Sequence, residues 1–425
     1  MSYGWGVLFL TVCILAPCFL CRGFWIFVLH TSYLVLLFLC LPPKQYYMSD
    51  SQMIEDFLQP VDLSAVLGDD ELNAAQLGRN IQTYAFQFPD LDKVDLVLLG
   101  ITDERGTGNG ISLCEAPTLI RKHLYRLYYW HTDVRIADIG NIQSGASVKD
   151  TYAAAKAVIK ELVDAGKKVL ILGGSHDLTL AQYGAYVQRQ QIIEASCVDA
   201  FINLNNDTPI RSENFLLEML TGEPNFIRHY NHIGFQSYFV HPTILQTMDR
   251  LRFDCFRVGV VKDALEEMEP VIRGSNMLSI DMTALAHAYA PANRTTPNGL
   301  NGMDICTLTR FAGMSEQLTT LGIYGYNAKL DKDELTAIQI AQMIWYFIDG
   351  TSKAKTEASL EDRHQFTEYH TTVADTDALF LQSKKTGRWW LQLPNKKFIA
   401  CSATDYQLAI HSEIPERWLR AQERD

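Results

Sequence analysis

The chain is short of positive charge. Its 37 Lys and Arg stand against 49 Asp and Glu, for a net charge of −12. A phosphate backbone needs a basic surface, so nucleic acid is excluded as a main partner, and the acidity reads as solubility. A cysteine framework is also missing. There are nine cysteines, an odd number, and the five beyond residue 50 (Cys114, Cys197, Cys255, Cys306 and Cys401) are scattered. None has the paired spacing of a zinc ribbon or a disulfide scaffold. They read as small buried hydrophobes in a reducing compartment. No phosphate loop is present: the glycines from Gly106 to Gly110 lack the Lys-Ser/Thr ending and read as a turn. Cys114 has no basic neighbour in sequence to activate it.

Residues 1–47 carry only two charged side chains, Arg22 and Lys44, and residues 5–41 are almost wholly apolar. Two stretches within them approach the length of a membrane span. No basic residue precedes the run and no small-x-small cleavage site follows it, so a signal peptide fits poorly. Composition switches to that of a globular chain at Met48. The expectation is a start called too early, with translation beginning at Met48 and a cytoplasmic protein. The alternative is a membrane anchor over residues 5–41.

From Val94 onward, short apolar runs alternate with amphipathic segments. The runs 94–100, 168–174, 198–204, 232–236, 277–282 and 319–324 predict strands. Pro117 opens a helix, residues 148–165 predict a second, and 334–348 a late one. Residues 48–93 read as a helical lead-in and 94–350 as the main domain. Residues 351–364 read as a linker or exposed loop, and 365–425 as an aromatic-rich extension packed on the main domain, with Trp389 and Trp390 in packing roles. Alternation over 250 residues predicts an α/β fold: a mostly parallel central sheet with helices on both faces. Sites in such sheets form at the carboxyl ends of strands, here after Leu172, Leu204 and Ile280.

Three strand ends carry polar motifs. They are Gly173-Gly174-Ser175-His176, then Asn205-Asn206-Asp207-Thr208-Pro209, then Ser279-Ile280-Asp281-Met282-Thr283. In order and spacing they resemble the three signatures of the ureohydrolases (arginase, agmatinase and formimidoylglutamase): Gly-Gly-Asp-His, Asp-Ala-His-x-Asp and Ser-x-Asp-x-Asp. The stretch from Gly100 to Arg121, the pair Tyr326-Asn327, and Ile233-Gly234-Phe235-Gln236-Ser237 add to the likeness. The last is most similar to the formimidoylglutamase branch. The resemblance implies a three-layer arginase-like fold, a homo-oligomer, and two manganese ions sharing a hydroxide that attacks a guanidino or formimino carbon.

Two adjacent dications need several carboxylates. Placed on the signatures, His176 and Asp281 match. Asn205 stands at a bridging aspartate, Asp207 at a histidine, Pro209 at an aspartate and Thr283 at the last aspartate. Ser175 replaces an acidic neighbour that would orient the histidine. This reading predicts a degenerate binuclear manganese site and a non-catalytic binding or scaffold protein, retaining at most an amino-acid-like ligand and no cofactor. Its alternative is a formimidoylglutamase-like hydrolase of linear amidines, with one Mn(II) on His176, Asp207 and Asp281. A third reading gives His176 a hydrogen-bonded structural place and makes Asp281 a cap.

Overall fold

The computed structural model describes residues 54–110, 113–374 and 376–424. The apolar segment 5–41 and the switch at Met48 lie outside these. Ten strands form one sheet: β1 (Leu58–Gln59), β2 (Gln82–Thr83), β3 (Leu96–Ile101), β4 (Ile136–Ile142), β5 (Lys168–Leu172), β6 (Ile193–Val198), β7 (Ile227–Phe235), β8 (Asp254–Arg257), β9 (Met277–Asp281) and β10 (Thr320–Tyr324). The order is β1-β4-β3-β5-β10-β9-β6-β7-β8, with β2 also on β4. All pairs are parallel except β1 with β4.

Alternate residues of each central strand feed opposite cores. Leu96, Leu98, Leu170 and Leu172 enter one cluster with Ile120, Leu308 and Ile340. Those partners come from α1 (Ala116–Leu124), α6 (Gly302–Met314) and α7 (Leu335–Thr356). Val97, Leu99, Val169 and Ile171 enter the other, with Val158 and Leu162 of α2 (Val148–Asp164) and Ala181 and Ala185 of α3 (Thr179–Gln188). This is the expected three-layer arrangement. α4 (Arg211–Thr221) and α5 (Met268–Arg273) complete the main-domain helices used below.

Three expectations change. The lead-in 48–93 is not simply helical, because Leu58–Gln59 and Gln82–Thr83 join the sheet. Residues 351–356 are the last turns of α7 rather than a loop; Thr351 is buried there and donates to Phe347 O. The strand expected over 198–204 is displaced. The paired segment is Ile193–Val198, between β7 and β9, and the chain has already left the sheet at Asp199.

Beyond α7, strands β11 (Phe366–Val373), β12 (Thr376–Ser383), β13 (Trp389–Gln392) and β14 (Phe398–Cys401) form an antiparallel sheet in that order. Helices α8 (Ala403–Ile410) and α9 (Glu416–Arg424) follow. Phe380, Leu391 and Trp418 make its own core. The junction with the main domain is held by buried Arg388, which pairs with Glu357 at 2.9 Å and donates to Met314 O. No described helix is long and apolar enough to cross a membrane.

One buried charge pair pins α1 to β4. Arg121 is 1% exposed and its fork lies on Asp138 at 2.7 and 2.8 Å. It donates further to Asn141 and to Gly140 O, while the Tyr125 hydroxyl donates to the same Asp138 carboxylate. Removing one partner of such a pair strands the other. Arg121→Met is expected to cost about 3–5 kcal/mol, read as a lowered urea midpoint. Asp138→Asn should cost a comparable amount, because both carboxylate oxygens accept from donors and the buried guanidinium loses its counter-charge.

Candidate functional site

The strand ends build a site around one imidazole. Gly173 and Gly174 both have φ +80°, a turn that L side chains resist. That turn carries the chain off β5 and sets His176 over the ends of β6 and β9. The ring is 3% exposed and packs on Phe215 and Tyr324 at centroid distances of 4.6 and 5.8 Å. Its Nδ1 lies 3.0 Å from Asp199 Oδ2 and 3.5 Å from Asp281 Oδ2. Its Nε2 lies 3.3 Å from Ser279 Oγ and 3.7 Å from Cys197 Sγ. Gly325 permits this crowding, since a Cβ there would sit 2.3 Å from Asp281 Oδ2.

Asp199, one residue past β6, is the centre of the network. Its Oδ1 accepts from the Phe201 amide at 3.0 Å and the Thr283 hydroxyl at 2.6 Å. Its Oδ2 faces His176 and accepts from Asn203 Nδ2 at 2.6 Å. Asp281 Oδ1 caps the following turn by accepting from the Thr283 amide at 2.8 Å. Beneath lies His232, whose Nε2 is 3.1 Å from Asp199 O. Phe201 turns away to stack on Phe239 at 4.6 Å.

Burial dominates each of these groups, and neighbouring charges decide the outcome. His176 is desolvated, yet Cys197, Asp199 and Asp281 together raise it well above its ordinary value. Asp199 is lowered: burial opposes, and His176 prevails. Burial and then the charge of Asp199 push Asp281 up to about 6. Burial draws His232 down to about 4. At neutral pH the cluster is an imidazolium between two carboxylates over a neutral His232.

His176, Asp281 and Thr283 therefore meet as the sequence predicts. Asn205, Asp207 and Pro209 do not. All three are exposed in the loop before α4, where the Asp207 amide donates to Asn205 Oδ1. Asp207 is no ligand partner of His176; Asp199 and Asn203 hold that place. The cause is the displaced strand, because the β6 edge ends at Val198. A signal was available. Asp199-Ala200 reproduces the opening of Asp-Ala-His-x-Asp, and Phe201 and Asn203 hide the rest. Elsewhere, burial pushes the Cys114 thiol up to about 12, which removes it as a nucleophile.

Residues 94–349 match the Arginase family model. The chain belongs to the arginase family. A formimidoylglutamase of Staphylococcus haemolyticus is 21% identical over 281 residues, 60% of this chain and 86% of that protein. One from Streptococcus pyogenes serotype M49 is 29% identical over 175 residues, 37% of this chain and half of that protein. Among solved structures, Trypanosoma cruzi formiminoglutamase with Mn2+ aligns with a TM-score of 0.58 at 15% identity, covering 65% of this chain and 98% of that one. Formimidoylglutamase from Bacillus subtilis also gives 0.58 at 15% identity, covering 67% and 95%. At such identity the structures speak to the fold alone. Among arginase-family members this chain is formimidoylglutamase-like. Set beside the signatures quoted above, the strand-end residues are His176, Asp199, Phe201, Asn203, Asp281 and Thr283, and His176, Asp199 and Asp281 coincide with them in residue type.

Raised Asp281 gives a pH signature. Its folded value, about 6, exceeds its ordinary value of 3.8, so the native state binds the proton more tightly. The charge cost is absent at low pH and grows as pH rises through about 6. The protein should lose on the order of 1–3 kcal/mol from this group as pH rises from 3.8 through about 6, with no further loss at alkaline pH. Urea melts should show the loss in the wild type and not in Asp281→Asn; parallel pH profiles would refute it.

Proposed function

We propose that this arginase-family protein no longer performs two-metal hydrolysis and acts as a binding or scaffold protein built on a formimidoylglutamase-like fold. One observation carries the reading. The Asp199 carboxylate already holds four donors, two of them from Asn203 and Thr283 at positions where the family signature has aspartates. Donor chemistry points the same way. Two carboxylates cannot neutralise two dications, Phe201 offers no ligand atom, and neutral Asn203 and Thr283 donate to Asp199 instead of adding charge. The residues do not fit a manganese pair. An amino-acid-like ligand at these strand ends and a homo-oligomeric state belong to the same proposal.

A second reading rests on the re-registered cluster. His176, Asp199 and Asp281 supply one imidazole and two carboxylates from three strand ends, a donor set suited to a single Mn(II). Such an ion would act as a Lewis acid toward a linear amidine. His176 Nδ1, Asp199 and Asp281 would hold it, and Asn203 would turn its amide oxygen inward. Cys197 Sγ lies 3.7 Å from Nε2 of the same ring, and His176, Cys197 and Asp199 also cluster closely enough to form a ligand set.

Manganese titration separates the readings. The wild type is expected to show no saturable rise in melting temperature and no hydrolysis of formimidoylglutamate. The combined variant Phe201→His, Asn203→Asp, Thr283→Asp is expected to gain manganese-dependent stabilisation, about 2.7 kcal/mol at a hundredfold excess over Kd. Manganese-dependent turnover by the wild type, lost with bound metal in Asp281→Asn, would instead establish the one-metal hydrolase.

The ion pair gives a further expectation. In the metal-free protein both ring nitrogens of His176 should be protonated at neutral pH, as read by imidazole nitrogen chemical shifts. A neutral ring there would refute the ion-pair cluster.

A further inference from the structure

The C-terminal sheet ends in a strand whose outer edge is unpaired. In the order β11-β12-β13-β14, β11 is terminal and pairs only with β12, from Phe366 to Val373 without a bulge. Sheet edges are ordinarily blunted by shortness, bulges, Lys or Pro. The main sheet obeys this, since its edge strands β1 and β8 have two and four residues. So does β14, with four. β11 has eight residues, Phe-Thr-Glu-Tyr-His-Thr-Thr-Val, with neither Lys nor Pro among them.

Hydrogen bonding fixes which groups face outward. Lys384 N donates to Gln365 O, and in an antiparallel ladder such bonded pairs recur at every second residue. The odd residues of β11 therefore bond to β12. The backbone groups of Phe366, Glu368, His370 and Thr372 point away from it, and of these only the Phe366 N–H is taken, by Arg363 O. Side chains alternate between the two faces. Tyr369 stacks on Trp389 and Tyr406 at 5.1 and 4.9 Å, whereas Glu368, His370 and Thr372 are exposed, the His370 side chain at 75%. Glu368 lies 3.6 Å from His370 and 4.0 Å from Arg363, both too long for a hydrogen bond.

A second copy of the chain carries the matching edge. Two such edges related by a two-fold axis must set even residues against even ones. Centred on 368, the pairing brings carboxylate against carboxylate. Centred on 370, it brings imidazole against imidazole and leaves Glu368 facing Thr372. Centred on Tyr369, it sets Glu368 of each copy against His370 of the other, an acceptor against a donor on both sides of the axis. Opposed like charges destabilise a ladder and complementary pairs support it, which selects the last register. We propose that two copies of this chain join through β11, antiparallel about Tyr369, into one continuous sheet with four strands from each copy and about six new backbone hydrogen bonds. This interface rests on the homo-oligomeric part of the function proposed above and not on the metal positions.

Sedimentation equilibrium of the full chain reads the association, and amide hydrogen exchange reads its place. The wild type is expected to associate reversibly, with exchange over residues 366–373 slowing as concentration rises. His370→Pro removes an outward N–H and no bond to β12, a change that edge strands tolerate. His370→Glu sets like charges across the axis. Each should weaken association about tenfold or more. Adding Glu368→Lys to His370→Glu restores opposite charges across the axis and should recover association, which a strand that had merely unfolded would not do. Association undiminished in both His370 variants, or lost without recovery in the charge-swapped chain, overturns this interface and leaves the homo-oligomeric reading standing. A wild type that stays monomeric, its edge open to an extended segment of some other protein, overturns both.

Discussion

A carboxylate left at the end of a buried parallel strand must be answered by positive charge or by several donors. Asp199 is that carboxylate, and the upper half of this molecule is arranged around it. The Gly173-Gly174 turn delivers His176 to it. The end of β9 delivers Asp281 and Thr283, and the loop leaving β6 folds back to deliver Asn203 and the Phe201 amide. The ion pair and its hydrogen bonds satisfy from within the chain a demand that cations would otherwise meet.

Much of this was legible in the sequence because parallel sheets write themselves plainly. Strands buried on both faces read as unbroken apolar runs, and 168–172, 277–281 and 320–324 were visible for that reason. Gly173-Gly174 before His176 and the Asp281–Thr283 spacing placed two of the three strand ends correctly. The third was misplaced because β6 contains Glu194 and Ser196, which dilute its apolar signal, whereas 198–204 looks like a strand. Ser196 is in fact buried and bonded to Ser275, and Glu194 sits at the strand's polar start, paired with Arg228. The short edge strands β1, β2 and β8 carry too few residues to show a period. The exposure of Asn205, Asp207 and Pro209 is likewise a tertiary fact.

The C-terminal module shows a different limit. Its aromatic residues announced packing, but periodicity could not say against what. Arg273 and Arg388 meet over Trp390 from α5 and from the hairpin after β12, a pairing of residues more than a hundred positions apart. The module covers the amino-end face, while the family signatures occupy the carboxyl-end face. Two chemically distinct surfaces are thus built from one sheet.

The hydrogen bond from Thr283 to Asp199, at 2.6 Å, bears on how such a site changes over generations. A single aspartate at 283 would set another anion against Asp199, beside Asp281 and with only His176 to answer all three, and an aspartate at 203 would do the same. Each step back toward the family signature is costly alone, and only joint replacement together with metal relieves the repulsion. The hydrogen bond therefore works as a ratchet. On the proposed metal-free reading, neutral side chains closed around Asp199 hold the site in that state by electrostatics.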